Sequence, residues 1–518
     1  MKKRHSILFL LIFYFFFQLS SIDYGFKIND INYLKNISLS KLDIKAFTEK
    51  ESINTKENIE TDSKSWEYRY KLYSVNADEM MPIMALSKID INNKRFDPQI
   101  YKYGGAFIYP LGFYYYCLDK IGLIEKINFS SIISNDNLID KIYFYGRFFV
   151  LLFFTLSAFV FYKCLKLIIK NNSAIIFTSI YLFVPSSIMY SQIIKPNWYA
   201  LFWFNLFIFY SLKYFLIKKK ENYLILGIIF SGLAIGSSVL YTPAIILTFL
   251  VIFINLKKNI KINFLIYSIT ICTCVFFITN PYILVNFTNF INESQGEYNW
   301  IFKNLNLKNT FLFFNNSFIQ GFGILLSLTL FYFLLKKTKK NYEKKIKISI
   351  FLLILFGAII SSFETWHIQF RYIPYILTIS LIYLSYKIKN KKYLALILIA
   401  TIFQSIPMKM SYYDENNIKY STRLKSANWI NSEIINKKKS ICKKEFVPFD
   451  FPPINFTKVK IEKNCDYEIL VLRQPNKIKI YDKDKIIKKF EPRFQFANIP
   501  LVFNHINPLI IILKNYNE

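Results

Sequence analysis

The sequence predicts an all-α polytopic membrane bundle of about eleven spans, with a long first outer loop and a small α+β C-terminal outer domain. Three observations lead there. Of the 518 residues, 53% are hydrophobic and 19% aromatic, against ~45–50% apolar in soluble domains. Apolar runs of roughly 20 residues, the length a helix needs to cross hydrocarbon, recur along most of the chain. Lysines gather in alternate short connections, the pattern that keeps basic loops in the cytoplasm.

Charge and cysteine usage narrow the class further. The formal net charge is +32, from 66 Lys+Arg against 34 Asp+Glu, and the mean hydropathy is +0.26. A soluble protein so basic would point to nucleic acid. Here the cations lie between spans and no basic-aromatic motif accompanies them, which excludes that partner. The six cysteines form no CxxC pair and no zinc spacing. Cys164, Cys272 and Cys274 fall in apolar segments, as packing residues do. Cys442 and Cys465 fall in the C-terminal region, where an extracytoplasmic location would permit a disulfide; the paired and free states both stay open. The three histidines, His5, His367 and His505, are too few and scattered for a His-built metal site.

Lys2-Lys3-Arg4 precedes an apolar run to about Ile22. It starts like a signal peptide but lacks an Ala-x-Ala cleavage site, so it reads as a retained first helix with its N-terminus in the cytoplasm. Residues 23–143 form the first outer loop, with one apolar stretch from Gly104 to Leu123. Later spans fall at about 144–165, 173–193, 198–217, 223–239, 241–256, 262–280, 311–335, 346–363, 370–386 and 392–407. If 104–123 crossed the bilayer, every lysine-rich connection would lie outside; lying in the interface, it leaves them all inside. Its glycines, Pro110 and tyrosines suit an interfacial helix. Tyr143, Tyr145, Trp198, Tyr241, Tyr282 and Trp366 then fall at outer ends, at headgroup level. Residues 1–407 thus form a transmembrane module. From Met408 the hydrophobic periodicity fades, and 408–518 read as an extracytoplasmic α+β domain. Tyr420 to Ile435 reads as an amphipathic helix with Ala427, Trp429 and Ile430 on one side, and Tyr467–Leu472 as a strand.

Polar groups collect where apolar helices meet the outer surface. Asp78 and Glu79 stand in Asn76-Ala77-Asp78-Glu79, Lys102 opens Lys102-Tyr103-Gly104-Gly105, and Asn197 lies in Lys195-Pro196-Asn197-Trp198. His367 and Arg371 share Trp366-His367-Ile368-Gln369-Phe370-Arg371-Tyr372-Ile373-Pro374, and Arg147 lies near its helix's outer end. Ionisable groups near spans are costly and usually face a cavity or a partner. Each also has a plain structural reading. The acids suit a helix N-terminus capped by Asn76, Lys102 suits snorkelling to headgroups, the arginines suit lipid anchoring, and His367 suits a packing role.

Taken together, these residues, Gly146-Arg147 and the Asn280-Pro281-Tyr282 helix end resemble the phospholipid-carrier-dependent glycosyltransferases of the GT-C superfamily. The chain is similar to protein O-mannosyltransferases and to bacterial enzymes that add aminoarabinose to lipid A, over the architecture of about residues 1–407. The resemblance implies a multi-pass enzyme of the cell inner (plasma) membrane. Such an enzyme moves a sugar from a polyprenyl-phosphate carrier to an acceptor hydroxyl or amine, on a lipid, glycan or protein, at the outer face. It implies catalytic roles for Asp78, as general base, and its neighbour Glu79. It further implies carrier-phosphate contacts from Lys102, Arg147 and Arg371, and substrate contacts from Tyr103, Asn197 and His367. Asn197 stands near a position that is frequently Asp in relatives, so it carries no base role. No cofactor is fixed by the resemblance, and a divalent cation at the outer acids is compatible with it.

The chemistry stands on its own terms. A carboxylate beside an acceptor hydroxyl can take its proton as the oxygen attacks the anomeric carbon. Phosphate is a competent leaving group, and fixed cations stabilise its growing charge. A single displacement inverts the centre. The rival class, a transporter or flippase for lipid-linked sugars, calls for polar residues at mid-membrane depth and symmetry between halves. A polysaccharide polymerase or ligase calls for a large late outer loop; the largest here is the first.

Overall fold

The computed structural model describes residues 2–25, 74–125, 131, 135–217, 220–301, 305–338, 341–363, 373–442, 451–455, 458–462, 465–472, 483–494 and 506–515. His367, Arg371 and Trp366 lie outside the described residues, as does most of the first loop before Ser74. The chain packs into two compact units. Unit 1 is Met1–Leu19, Lys88–Tyr114 and Arg147–Ile406; unit 2 is Ser20–Ser87, Tyr115–Gly146 and Pro407–Glu518.

Unit 1 is helical. Among the described residues, five helices are long and apolar enough to cross a membrane, and a sixth is added if one bent pair counts as a single span. Shorter apolar helices cover His5–Leu19, Glu221–Ser237 and Val239–Asn255. The Pro196–Leu216, Glu221–Ser237 and Lys258–Thr279 helices pack side by side in chain order. The middle one turns small residues inward: Gly227, Ser231, Gly232, Ala234 and Gly236 are buried. Small side chains let helix backbones approach where no water drives them together.

Two segments read as single spans are broken. Val184 takes an extended backbone between the helices Asn171–Phe183 and Pro185–Tyr190, because a proline ring disfavours helical backbone in the residue before it. The second break bends the chain by 114° between Leu307–Phe322 and Ile324–Leu335. Here a π-helical stretch, Asn315–Phe322, ends at Gly323, whose φ of +99° suits glycine. Gln404 reaches into this break: its Nε2 donates to the Ile319 carbonyl at 2.7 Å and its Oε1 accepts from the Ile324 N–H at 3.0 Å.

The first helix, Lys2–Leu19, ends three residues short of the sequence expectation. Its packing face carries Tyr14 and Gln18, both fully buried. Gln18 Nε2 donates to Tyr14 Oη at 3.0 Å, the Ile188 carbonyl at 2.9 Å and Ser191 Oγ at 3.0 Å. At the middle of the bundle, Asn205 Nδ2 donates to Ser157 Oγ at 2.9 Å and Tyr181 Oη at 3.1 Å, while Thr378 donates to Asn205 Oδ1 at 3.0 Å. That network joins four helices with neutral groups.

Three aromatics read as headgroup anchors are packed inside protein instead. Trp198 is 1% exposed, Tyr241 0% and Tyr143 6%. Their polar or aromatic edges have internal partners: Tyr241 Oη donates to the Asn197 carbonyl at 2.6 Å, and Trp198 stacks on Tyr190 at 5.9 Å.

The helix that begins at Lys391 runs on to Glu415, past the expected end at 407, and its stretch from Pro407 belongs to unit 2. The next helix is Thr422–Ile430, capped by Ser421 Oγ, which accepts from the Leu424 N–H. Ala427 and Ile430 are buried as read, whereas Trp429 is half-buried. A five-stranded mixed sheet follows, built from β1 (Ser440–Cys442), β2 (Lys460–Glu462), β3 (Tyr467–Leu472), β4 (Ile486–Phe490) and β5 (Leu509–Lys514). The order is β2-β1-β3-β5-β4, with β1 parallel to β2 and β3, and β5 antiparallel to β3 and β4. β5 is buried from Leu509 to Leu513, as a central strand covered on both faces should be. Cys442 and Cys465 form a disulfide with Cα atoms 4.9 Å apart.

Candidate active site

The acidic pair sits on a short, fully specified turn in unit 2. Ala77–Glu79 is a 3-10 turn that leads directly into the helix Met80–Ser87. Asn76 starts it twice over: its carbonyl accepts from the Glu79 N–H at 3.0 Å, and its Oδ1 accepts from the Asp78 N–H at 3.3 Å. This is the capping role the sequence offered as the plain reading, and acids at such a position also face the positive end of the helix dipole. The cap fixes the backbone; it leaves the two carboxylates different fates.

Glu79 is fully buried. Its Oε1 accepts from Tyr24 Oη at 3.1 Å and its Oε2 accepts from Ser74 Oγ at 2.6 Å. Hydroxyls donated to both oxygens offset the cost of taking a carboxylate out of water. Asp78, one residue earlier, is only partly buried. The pair therefore divides into a fully buried acid and a partly accessible one.

Lys102 and Tyr103 belong to unit 1, in the turn that opens the helix Gly105–Lys120. Lys102 is exposed and its Nζ lies 5.8 Å from the Tyr103 ring centre. Glu293 pins the turn from the helix Phe287–Ile301: its carboxylate accepts from the Tyr101 N–H at 2.7 Å and the Lys102 N–H at 3.3 Å. Burial, with Asp97 and Glu293 nearby, pushes the Tyr101 phenol up to about 12, and its hydroxyl lies 3.2 Å from both Asp97 oxygens. Asn286 also donates to Asp97. The 281–310 segment is thus more than a connector; two of its side chains shape the lysine turn.

The helix behind that turn is set by Asn280. Its Oδ1 accepts from the Gly105 N–H at 2.6 Å, and its Nδ2 donates to the Gly236 carbonyl at 3.2 Å and the Phe276 carbonyl at 2.9 Å. One amide ties three helix ends. Gly104 and Gly105 are required by contact: a Cβ on either would fall deep inside the carbonyl oxygen of Gly236 or Thr279.

Arg147 and Asn197 also lie in unit 1. Arg147 is 2% exposed. Its helix starts at Asp136 rather than near 144, because Leu138, Ile139 and Ile142 are buried at helical spacing while the intervening residues are polar. The arginine therefore stands about three turns inside the helix rather than near its end. Asn197 is 7% exposed at the start of Pro196–Leu216, beside the buried Lys195. Asp78 and Glu79 fall in one unit, and Lys102, Tyr103, Arg147 and Asn197 in the other. Among the described residues, no group of three or more His, Cys, Asp or Glu side chains could hold a metal ion.

Sequence reasoning missed Tyr24, Ser74 and the buried Lys409, which donates to Ser21 Oγ at 2.5 Å. Tyr24 and Ser74 carried no motif; a lysine among apolar residues near the end of the last helix was a signal to be read.

No protein-family model and no curated protein matches the chain. Solved structures similar to it include two of one protein. ArnT from Cupriavidus metallidurans bound to undecaprenyl phosphate is 9% identical, with 85% of this chain and 94% of that one covered at a TM-score of 0.45. The apo state of ArnT from the same organism is 10% identical, with 86% and 92% covered at a TM-score of 0.43.

Proposed function

We propose that the chain is an integral membrane glycosyltransferase that moves a sugar from a polyprenyl-phosphate carrier to an acceptor hydroxyl or amine. The observation that carries the reading is the acidic turn. It offers one partly accessible carboxylate, Asp78, on a backbone held by Asn76 and by the buried Glu79. In this reading Asp78 takes the acceptor's proton as its oxygen or nitrogen bonds to the anomeric carbon. The bond from that carbon to the phosphate oxygen breaks, the electron pair leaves with the carrier phosphate, and the centre inverts. Lys102, Arg147 and Arg371 are assigned to the phosphate, whose growing charge a fixed cation stabilises in a water-poor site. Tyr103, Asn197 and His367 are assigned to substrate hydroxyls. The displacement calls for no organic cofactor, and chelation would test for a divalent cation at the acids.

The reaction is assigned to the outer face of the plasma membrane, with the N-terminus cytoplasmic. The Cys442–Cys465 disulfide supports this, since such bonds persist in oxidising compartments. The Asn205 network bears on the transporter reading. Its polar groups are fully buried and bonded to one another, which favours glue over a transport path.

Asp78→Asn keeps the side chain's shape and removes its basicity. It should abolish transfer from a polyprenyl-phosphate sugar while leaving membrane insertion intact. Undiminished turnover by this variant would overturn the assignment.

A further inference from the structure

Within unit 2, the short segment after the first helix is fastened to the far end of the helix Lys391–Glu415 by successive contacts. Ser20 is hydrogen-bonded to Tyr413, and Ser21 to Lys409. The Tyr24 ring meets Tyr412 edge-on at 4.6 Å and 79°, and Asn416 donates to the Asp23 carbonyl. Tyr24 is 3% exposed and Tyr412 1%. The same Tyr24 hydroxyl ends on Glu79. The helix goes on directly to Glu415, which takes Arg423 Nη1 at 2.7 Å, both side chains fully buried, and also accepts from the Asn507 N–H.

From this geometry we infer that Tyr24 is a positioning residue for the reacting acid. It acts through Glu79, and it registers the acidic turn against the Lys409–Asn416 stretch that also anchors the C-terminal domain. The inference rests on the transferase reading for the role of Asp78, but the placement it describes does not. Glu79 makes no bond to the reactants in this scheme. Its carboxylate is a peg: Ser74 holds it from the near side of the turn, and Tyr24 holds it from the segment after the first helix, which packs on Tyr412. Ångström-scale misplacement of a reacting group costs orders of magnitude in rate.

Tyr24→Phe in the full-length membrane protein is the first test. It keeps the ring against Tyr412 and removes only the hydroxyl. A hydrogen bond to a charged group is strong enough that its loss should lower kcat at least about tenfold. KM for the lipid donor should stay within about twofold, since donor binding is not what the bond controls. The Tyr24→Phe/Glu79→Gln double variant should be no slower than the slower single one, because both remove the same link. An unchanged kcat, or a rise in KM alone, would overturn the inference. Ser74→Ala, which leaves the Tyr24–Tyr412 contact untouched, should move kcat the same way and carries the test if Tyr24→Phe fails to accumulate. An arm without catalysis separates this claim from the proposed function. With Asp78→Cys as a probe, an impermeant maleimide should react at a different rate once Tyr24→Phe is added; an identical rate would refute the placement even if Asp78→Asn proves inactive. An active Asp78→Asn would sink the transferase assignment and leave the labelling result to decide the rest.

Discussion

In unit 1, two networks of buried polar contacts between helices join neutral groups: Asn205 with Ser157, Tyr181 and Thr378, and Gln18 with Tyr14 and Ser191. In unit 2 they carry charge: Arg423 with Glu415, and Glu79 with its two hydroxyl donors. An ion pair in unit 1 stands at helix ends, where Lys387 meets Glu343 at 2.5 Å. The difference follows from solvent. A helix that crosses hydrocarbon cannot hydrate a charge, so amides and hydroxyls do the joining. A unit with an aqueous face can bury a charge if a partner and further hydrogen bonds satisfy it. Arg147 departs from this pattern, which is a reason to look for its function.

The largest effect should come from cutting a charged tie. Arg423→Ala leaves Glu415 buried without its guanidinium, a loss of about 3–5 kcal/mol. The C-terminal region should then become protease-sensitive in membranes while the Asn205 network holds; equal resistance to proteolysis would break the contrast. Gly104→Ala probes the close helix contact in unit 1. Its methyl has no room beside the Gly236 carbonyl, and overpacking of this kind costs about 1–3 kcal/mol, read as a lower thermal midpoint in detergent. Asn205→Leu should cost less, roughly 0.6–1.7 kcal/mol, since neutral interhelical bonds in membranes are weak; a loss as large as that for Arg423→Ala would refute the ranking.

The smallest effect is a pH dependence in unit 2. The Ser440 N–H and hydroxyl, donated to Asp466 at 2.8 and 3.1 Å, hold its carboxyl below the usual carboxylate range. A folded value below the unfolded one gives stability that is complete above the unfolded pKa and is lost as pH falls through the folded one. Acid titration should therefore weaken protection of the β1–β3 region, and Asp466→Asn should flatten that part of the profile. An unaltered profile would remove Asp466 as its source.

The helical class, the C-terminal change of character and the strand at Tyr467–Leu472 were legible because they rest on periodicity and apolar content, which are local properties. The breaks at Val184 and Gly323 were half legible. Pro185 advertises one, but a glycine after a π-helical stretch reads as continuous apolar helix. The aromatics were misjudged for a related reason: Trp198 and Tyr241 suit a headgroup belt or a packed interior equally well, and only neighbours choose.

The acids divide the same way. Sequence alone offered Asp78 and Glu79 as the start of a helix capped by Asn76, because a cap is a matter of residues three apart. Only the tertiary structure decided which of the two is fully buried and which stays partly accessible. Tyr24 lies 55 residues away from Glu79 with no motif to announce it, and a hydrogen bond over that distance exists only once the chain has folded back on itself.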